Sequence, residues 1–418
     1  MEQPEKTCIL NLDDDLIAEI FVRLPIRSVA RAGAVCKDFR RVAYAHRRPL
    51  ELLLYTFNAA AAAAAAADRN GAPDTCRVVG CHLEAVSVSA SSRRPARRRL
   101  AHLPAFLPRS ERAGEEYCVA LASCDGLLLL GTAAGGQYVI CNPAMSQWAE
   151  LPRLRRRRRR DLPCYAFRES GFYFHEPSGE YRVLCHVTVD EESRAARYYV
   201  LSTAAGKPRL LDGVEATPVH SNCVPSACDM ITPAIFRGRL HWLRHPEAGS
   251  GGGEMAVFDW ADETFSRMAS PPTSDEHLTN LVVADGSLMA SEFQDGELGL
   301  GVDLWVLGGY RGGGGGAGEE IIRWERRHRV ELRWQQARTM PTWLDVVAAG
   351  DVEGDVVLGT SNGVVVYNVR SGTARVVDVG PGAVRLTRRA LTMRESFVRH
   401  DFFQTRPHPG LPSFILYQ

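Results

Sequence analysis

A pattern of short strands recurs four times along this chain and constrains its fold more than any other feature. Each copy has a turn with glycine, an apolar strand, a second apolar strand, a second turn and a short strand that often bears an aromatic residue. Antiparallel units of about 40 to 55 residues are typical of propeller blades, which bury their faces against one another. The copies are irregularly spaced, so a large two-sheet β-sandwich is the alternative. The copies start near Asp125, Ile235, Asp285 and Asp355.

A helical pattern precedes this β region. Leu16, Ile20 and Leu24 recur every four residues, which gives a first helix one apolar face. The acidic run from Asp13 to Asp15 lies where this helix would begin, next to the positive end of its dipole. Pro25 is expected to end the helix, because proline cannot continue the hydrogen-bonding pattern.

Two further helical runs follow the proline. Ser28 is a suitable N-cap for a helix from Val29 to Ala34. A third run carries Phe39 and other apolar residues, interleaved with lysine and arginine. Three helices in roughly 35 residues bury too little apolar surface to be stable alone. The segment is therefore expected to need a partner protein.

The composition excludes several classes of protein. The formal net charge is +1, which argues against a global electrostatic footprint for nucleic acid. No apolar run approaches the roughly 18 residues of a membrane span, and the start of the chain, MEQPEKTC, does not resemble a secretory signal. The eleven cysteines are then expected to be free thiols in a reducing compartment. Neither nucleic acid nor a membrane is expected as a partner, and no metal site or cofactor is predicted.

Single-residue tracts interrupt the chain at Ala59 to Ala67, Arg155 to Arg160 and Gly312 to Gly316. Each is interpreted as a loop expansion, because loops tolerate insertion at little cost in free energy. The arginine tract has a second interpretation as a nuclear-import or nucleic-acid patch, and Arg93 to Arg99 forms another basic cluster. The predicted location is accordingly the nucleus, the cytoplasm or both.

The helical segment resembles an F-box. The resemblance implies that the segment binds a Skp-family adaptor through apolar side chains. This sequence departs from the family pattern where Asp13 follows Leu12 and where Phe39 stands in place of tryptophan. The matching residues are Leu16, Glu19-Ile20, Arg23-Leu24-Pro25, Ser28, Val35-Cys36-Lys37 and Phe39. The expected adaptor-binding residues are Leu12, Leu16, Ile20, Leu24, Pro25, Val29, Val35, Cys36 and Phe39.

The β region resembles the plant F-box-associated domain. The resemblance implies a kelch-like, propeller-like domain that recruits a protein substrate. The residues that carry it are Ser123 to Leu128, Cys141-Asn142-Pro143 with Trp148, Gly179 to Val183, Phe236 to Trp242, Val257-Phe258-Asp259 and Leu304 to Leu307.

The expected architecture is an α+β multidomain chain with a three-helix F-box and an all-β, propeller-like domain. The predicted boundaries are 8–48 for the F-box, 49–75 for a strand and alanine-rich linker, 76–405 for the β domain, and 406–418 for a tail.

Two common motifs of phosphate binding and metal-dependent hydrolysis are missing from the sequence. It contains no phosphate-binding G-x-x-x-x-G-K-[ST] and no H-E-x-x-H. His241 lies in a predicted strand, and His175-Glu176 precedes a proline and is interpreted as a turn. Trp260, Tyr310 and Trp343 lie nearest to turns and are candidate substrate anchors, since tryptophan and tyrosine are favoured in binding hot spots.

The sequence thus predicts a non-catalytic substrate-recognition subunit of a Skp–cullin–F-box ubiquitin ligase. Its partners would be the adaptor, the cullin complex reached through the adaptor, and an unidentified protein substrate. The alternatives are an F-box scaffold outside any ligase and a propeller enzyme with an incidental helical segment.

Overall fold

The fold is described from a computed structural model, and every statement on structure below concerns the residues that it describes. The alanine, arginine and glycine tracts lie outside them, as do Pro25 and Trp343. The described residues are 12–24, 26–45, 48–57, 78–88, 97–106, 118–132, 136–154, 167–188, 196–211, 233–243, 254–272, 278–296, 299–310, 322–331, 344–350, 352–360, 363–377, 379, 384–386, 391–396, 402–403 and 415–416.

Three helices open the described chain, as the sequence predicts. They are α1 (Asp14–Arg23), α2 (Ile26–Val35) and α3 (Lys37–Ala45). Asp13 caps α1, because its Oδ1 accepts a hydrogen bond from the backbone N–H of Leu16 at 2.9 Å. The second helix begins before Ser28, so the expectation that Ser28 is its N-cap is wrong.

The helices share a small core of their own. Phe21 and Phe39 meet edge to face with ring centroids 5.6 Å apart, and Val29 is buried beside them. A bidentate ion pair between Arg41 and Asp14 joins α3 to the start of α1. The Arg41 guanidinium thereby holds the pKa of the Asp14 carboxyl below its usual range.

The β region forms six sheets in the described part of the chain, each a blade of a propeller. Blade 1 contains β1 (Glu51–Phe57), β2 (Val78–Ser87) and β3 (Arg97–Phe106). Blade 2 contains β4 (Cys118–Cys124), β5 (Leu127–Thr132), β6 (Tyr138–Asn142) and β7 (Gln147–Glu150). Blade 3 contains β8 (Phe167–His175), β9 (Glu180–Thr188), β10 (Ala196–Ser202) and β11 (Arg209–Leu210).

The remaining strands follow in chain order and return to blade 1. Blade 4 contains β12 (Ala234–Phe236), β13 (Arg239–Trp242), β14 (Glu254–Asp259) and β15 (Thr264–Ala269). Blade 5 contains β16 (Leu278–Ala284), β17 (Ser287–Gly296), β18 (Gly299–Gly308) and β19 (Arg323–Glu331). Blade 6 contains β20 (Leu344–Ala349), β21 (Asp355–Thr360), β22 (Gly363–Asn368) and β23 (Thr373–Val377). Blade 1 is completed by β24 (Val384–Leu386), β25 (Thr392–Met393) and β26 (Ile415–Leu416).

Apolar clusters between successive blades close these sheets into a ring. One cluster joins each blade to the next, and the last of them packs Leu52 and Leu54 of blade 1 against Val357 and Val364 of blade 6. A sandwich has one core between two sheets, whereas here every blade is covered on both faces. The β-sandwich alternative is therefore wrong, and the propeller expectation is confirmed.

Both ends of the β region meet in blade 1. β24 and β25 pair with β1 on one side of the sheet, and β26 pairs with β3 on the other. The boundary at residue 76 is therefore wrong, since β1 belongs to the propeller and not to a linker. The supposed tail after residue 405 likewise contributes β26 to the same sheet.

The turns between the first and second strands of blades 2 to 6 lie on one face of the ring, here called the hairpin face. They fall at residues 125–126, 176–179, 237–238, 285–286 and 352–354. Neighbouring turns are tied together: the Tyr181 hydroxyl donates to Asp125 Oδ2 at 3.2 Å, and the Gly354 N–H donates to Asp285 Oδ1 at 3.0 Å. His175-Glu176 forms such a turn, as the sequence predicts.

Candidate functional site

The outer face of α1 carries an apolar stripe that the helical bundle does not cover. Leu16 is 49% exposed, and Leu12, Ile20 and Leu24 on the same row are half-buried. The inward row of α1, which includes Phe21, is buried instead. An exposed apolar row on such a small unit is typical of a protein interface.

The end of α2 carries a second exposed apolar side chain. Val35 is 74% exposed, and Cys36 beside it is half-buried. Cys36 also has a local role, since its Sγ accepts a hydrogen bond from the Phe39 N–H at 3.4 Å at the start of α3. The sequence placed all these residues in the adaptor-binding set, and the structure brings them to the surface.

Two other members of that set lie in the interior. Val29 is 1% exposed and Phe39 is 7% exposed, because both pack between the three helices. Both belong to the adaptor-binding set expected from the sequence, but the bundle covers them. In this arrangement they hold α1, α2 and α3 together and offer no surface to a partner.

Arg48 joins the helical bundle to the propeller. Its Nη1 donates to the Phe21 carbonyl at 2.7 Å and its Nη2 to the Leu24 carbonyl at 2.9 Å, which satisfies the open C-terminal end of α1. Its Nη2 also lies 2.8 Å from Glu395 Oε2, two residues after β25. The Arg48 carbonyl accepts a hydrogen bond from Arg394 Nη1 at 2.7 Å. One side chain thus contacts both units.

Further charges surround this junction and bury it. Arg98 Nη2 lies 3.1 Å from Glu395 Oε1 and 2.7 Å from Glu51 Oε2. The side chains of Arg48 and Glu395 are only 8% and 11% exposed. Burial raises the pKa of the Glu51 carboxyl, against the opposing effect of Arg98. The charges of these two arginines and two glutamates balance. Pro49 and Leu50 alone separate Arg48 from β1.

The basic cluster at Arg93 to Arg99 is partly committed to this junction. Arg97 pairs with Glu84 at 3.0 Å, and Arg99 pairs with the same carboxylate at 3.4 Å. With Arg98 held by Glu51 and Glu395, each of the three described arginines has an acidic partner. They therefore do not form a free basic patch.

Two of the three aromatic anchors expected from the sequence, Trp260 and Tyr310, lie between blades, and Trp343 is outside the described residues. Trp260 stacks on Tyr173 with ring centroids 5.4 Å apart, at the border of blades 3 and 4. The Tyr310 hydroxyl accepts a hydrogen bond from Arg239 Nη1 at 3.1 Å and lies 3.2 Å from His241 Nε2. Both rings are half-buried on the hairpin face, where they help to hold the blades together.

A groove of about 550 Å³ lies between blades 4 and 5. Trp305 and Trp324 line it together with Arg323 and Arg326. Their indole N–H groups are already bonded within the protein, to Glu292 Oε2 and to the Ala269 carbonyl, both at 2.8 Å. Trp324 is only 6% exposed and belongs to the core between these blades, so the half-buried Trp305 ring and the two exposed guanidinium groups remain for recognition. Tryptophan and arginine are common in binding hot spots. The sequence pattern did not single out these two tryptophans, because strand residues of this kind are usually core.

The described residues offer little for catalysis. His241 has no exposed surface, and burial lowers its pKa to about 4, so the imidazole is neutral. Cys81 is also buried, which raises its thiol pKa to about 12. Within the described ranges no group of three potential ligands could hold a metal ion. No helix there is long and apolar enough to cross a membrane.

Comparisons with known proteins agree with this architecture. Residues 9–48 match the F-box domain, and residues 101–308 match the F-box associated beta propeller domain. An F-box protein of Arabidopsis thaliana is 24% identical over 325 residues, which cover 72% of this chain and 70% of that protein.

Among solved structures, similar chains include two enzymes. A putative 6-phosphogluconolactonase from Bacteroides fragilis has 9% identity and a TM-score of 0.38, and covers 82% of this chain and 98% of its own. An oligogalacturonate lyase in complex with manganese has 10% identity and a TM-score of 0.39, and covers 71% of this chain and 72% of its own. These low scores carry no argument about activity. The helical bundle, the six-bladed ring and both domain matches place this chain in the family of F-box proteins with an F-box associated β-propeller domain.

Proposed function

We propose that this chain is the substrate-recognition subunit of a Skp–cullin–F-box ubiquitin ligase. F-box proteins with a β-propeller serve in general as such subunits and are typically not catalysts themselves. The observation that carries the proposal for this chain is the uncovered apolar surface of Leu16 and Val35 on an F-box bundle. A Skp-type adaptor would cover that surface.

The mechanism that fits this architecture is proximity. A ligase holds the target near a ubiquitin-carrying enzyme and so raises the effective concentration of the target amine. The receptor needs only two binding surfaces and a fixed distance between them. Arg48 and Glu395 supply a short, buried connection between the F-box and the propeller.

The propeller is the part that would bind the protein substrate. Its loops lie at two faces of a stable ring, where side chains can vary without disturbing the core. The groove at Trp305 and Trp324 is the described recess with the composition of a binding hot spot. The capture experiment described below would identify the protein substrate.

The proposed location is the nucleus, the cytoplasm or both. Supporting this, Cys81, Cys141 and Cys185 are buried thiols that form no disulfide, which suits a reducing compartment.

Affinity capture of the full chain from plant cell extract, followed by mass spectrometry, tests the proposal. Adaptor and cullin peptides together are the expected result, and further enriched proteins would be candidate substrates. Capture of the adaptor without any cullin would contradict the ligase role and favour a scaffold. Capture of neither would contradict the proposed function as a whole.

A further inference from the structure

Lysine is nearly missing from this chain. Lysine and arginine together number 50, but lysine occurs only at Lys6, Lys37 and Lys207, which leaves 47 arginines. Lysine is ordinarily among the commonest residues of globular domains. From residue 38 to residue 418 the chain therefore contains a single lysine.

The contacts within the fold require arginine at some of these positions but not at others. Arg48 makes several hydrogen bonds through its planar fork, which lysine could not reproduce. Arg267 and Arg327, by contrast, are more than half exposed and make surface ion pairs that lysine would make equally well. At such exposed positions lysine and arginine differ in their reactivity, because a lysine amine can accept ubiquitin and a guanidinium cannot.

Lys207 is presented openly on the propeller. It is exposed in the connection between β10 and β11, next to Gly206, where an added Cβ would meet no atom within 4 Å. The connection is anchored just after Lys207, since Arg209 pairs with Glu263 of blade 4. The Lys207 side chain is thus exposed on a connection that the Arg209–Glu263 ion pair anchors.

The same lysine lies on the face that bears the F-box. The β10–β11 connection is at the end of blade 3 that holds the turn at residues 176–179, on the hairpin face. On that face Gly126 packs against the junction, where an added Cβ would overlap the Arg394 carbonyl oxygen. Asn142 Nδ2 also donates to the Ser396 carbonyl at 3.0 Å. The hairpin face and the F-box junction are therefore contiguous.

The other two lysines are placed differently. Lys37 is the first residue of α3, two positions from the exposed Val35, and so borders the surface that an adaptor would cover. Lys6 lies outside the described residues.

We propose that Lys207 is the site at which the assembled ligase ubiquitinates this chain itself. This inference rests on the proposed function. The deprotonated ε-amine of Lys207 attacks the thioester carbonyl of ubiquitin on the ubiquitin-carrying enzyme. A nitrogen–carbon isopeptide bond forms, the carbon–sulfur bond breaks, and the departing thiolate takes up the proton that the nitrogen loses. The other basic positions of the propeller hold arginine, so the rest of its surface has no lysine that could accept ubiquitin.

The test is a reconstituted reaction of the full chain with a plant Skp-type adaptor, cullin complex, activating and ubiquitin-carrying enzymes, ubiquitin and ATP. Mass spectrometry then maps isopeptide remnants on the chain. We expect ubiquitin on Lys207 and loss of the modified species in Lys207→Arg, with adaptor binding unchanged. Modification that falls instead on Lys6 or Lys37 would overturn the inference.

A matched swap tests whether the amine itself is limiting. The double variant Lys207→Arg/Arg237→Lys keeps the numbers of lysines and arginines and moves the amine to an exposed turn of blade 4 on the same face. We expect modification to return at position 237. Its absence there would contradict the role assigned to arginine. An assembled ligase that builds ubiquitin chains but leaves Lys207 bare contradicts this inference alone, whereas failure to assemble with the adaptor contradicts the proposed function and the inference with it.

Discussion

Arg48 and Glu395 are 347 positions apart in the sequence, and their side chains meet in a buried ion pair with Arg48 Nη2 2.8 Å from Glu395 Oε2. Arg48 lies three residues before the first strand of the propeller, and Glu395 follows one of the strands that close it. The same guanidinium binds the last carbonyls of α1. This contact therefore links the orientation of the F-box to the strands that close the ring.

Glu395→Ala should loosen this junction without unfolding the F-box. Arg48 would lose its carboxylate but keep its bonds to Phe21 and Leu24, and removal of one partner of a buried pair costs about 3 kcal/mol of unfolding free energy. Urea unfolding measures the loss, and hydrogen exchange across residues 48–54 measures the loosening.

Glu263→Ala is the matched control for that change. Glu263 is 15% exposed and binds Arg182 and Arg209 across blades 3 and 4, far from the junction. Its loss should lower stability to a similar degree and leave exchange at residues 48–54 as in the parent chain. Equal exchange in both variants would contradict the role of Glu395.

His241 should make stability depend on pH. Burial depresses its pKa to about 4, so the folded state resists protonation while the unfolded chain takes up a proton near pH 6.5. The contribution is fully present above pH 6.5 and is lost as the pH falls toward 4, by about 3 kcal/mol in total. Comparison of urea unfolding at pH 7.5 and pH 5 with that of His241→Gln isolates the effect. An identical pH dependence in the variant would show that another group is responsible.

Phe39→Ala should unfold the F-box locally, because it opens a cavity beside Phe21. A buried phenylalanine truncated to alanine costs about 3 to 5 kcal/mol. Hydrogen exchange in α1 should then rise strongly, while exchange in blades 3 to 5 stays unchanged. Leu16→Ala, at a half-exposed position, is the control and should leave exchange in α1 nearly as it was. If α1 stayed protected from hydrogen exchange in Phe39→Ala, the Phe39 side chain would not be part of the F-box core.

Much of this fold could be predicted from the sequence, and the failures have physical causes. The four copies of the repeated strand pattern correspond to blades 2, 4, 5 and 6, whose turns carry glycine close to two apolar strands. Blade 1 could not be found as a repeat, because its strands come from both ends of the β region. In blade 3 the glycine of the first turn, Gly179, follows a short helical turn, Glu176–Ser178, so the repeated pattern is not visible there.

Only the part of the candidate site that one helix contributes could be predicted from the sequence. Helical spacing identified the apolar row of Leu16, Ile20 and Leu24. The same spacing could not separate exposed from buried members, since Val29 and Phe39 are covered by tertiary packing. Arg48 and Glu395 gave no signal, because a pair this distant in sequence leaves no local pattern.

A fragment that begins at Cys76 should fail to fold cooperatively, because it lacks β1. That strand pairs with β2 along its whole length and with β24 and β25 from the other end. A fragment of residues 48–418 keeps β1 and should unfold in one sharp urea transition. Equal cooperativity of the two fragments by circular dichroism would show that closure through β1 is dispensable.

The most direct test of the central claim is isothermal titration of the full chain with a purified Skp-type adaptor. The F-box variants Leu16→Asp and Val35→Asp each have a control of nearly equal exposure on the propeller, Val352→Asp and Val376→Asp, with parent side chains 51% and 76% exposed. We predict one-to-one binding by the parent chain and both controls, and loss of binding by both F-box variants. Binding that survives Leu16→Asp and Val35→Asp, or that falls equally in the controls, would contradict an adaptor surface on α1 and α2.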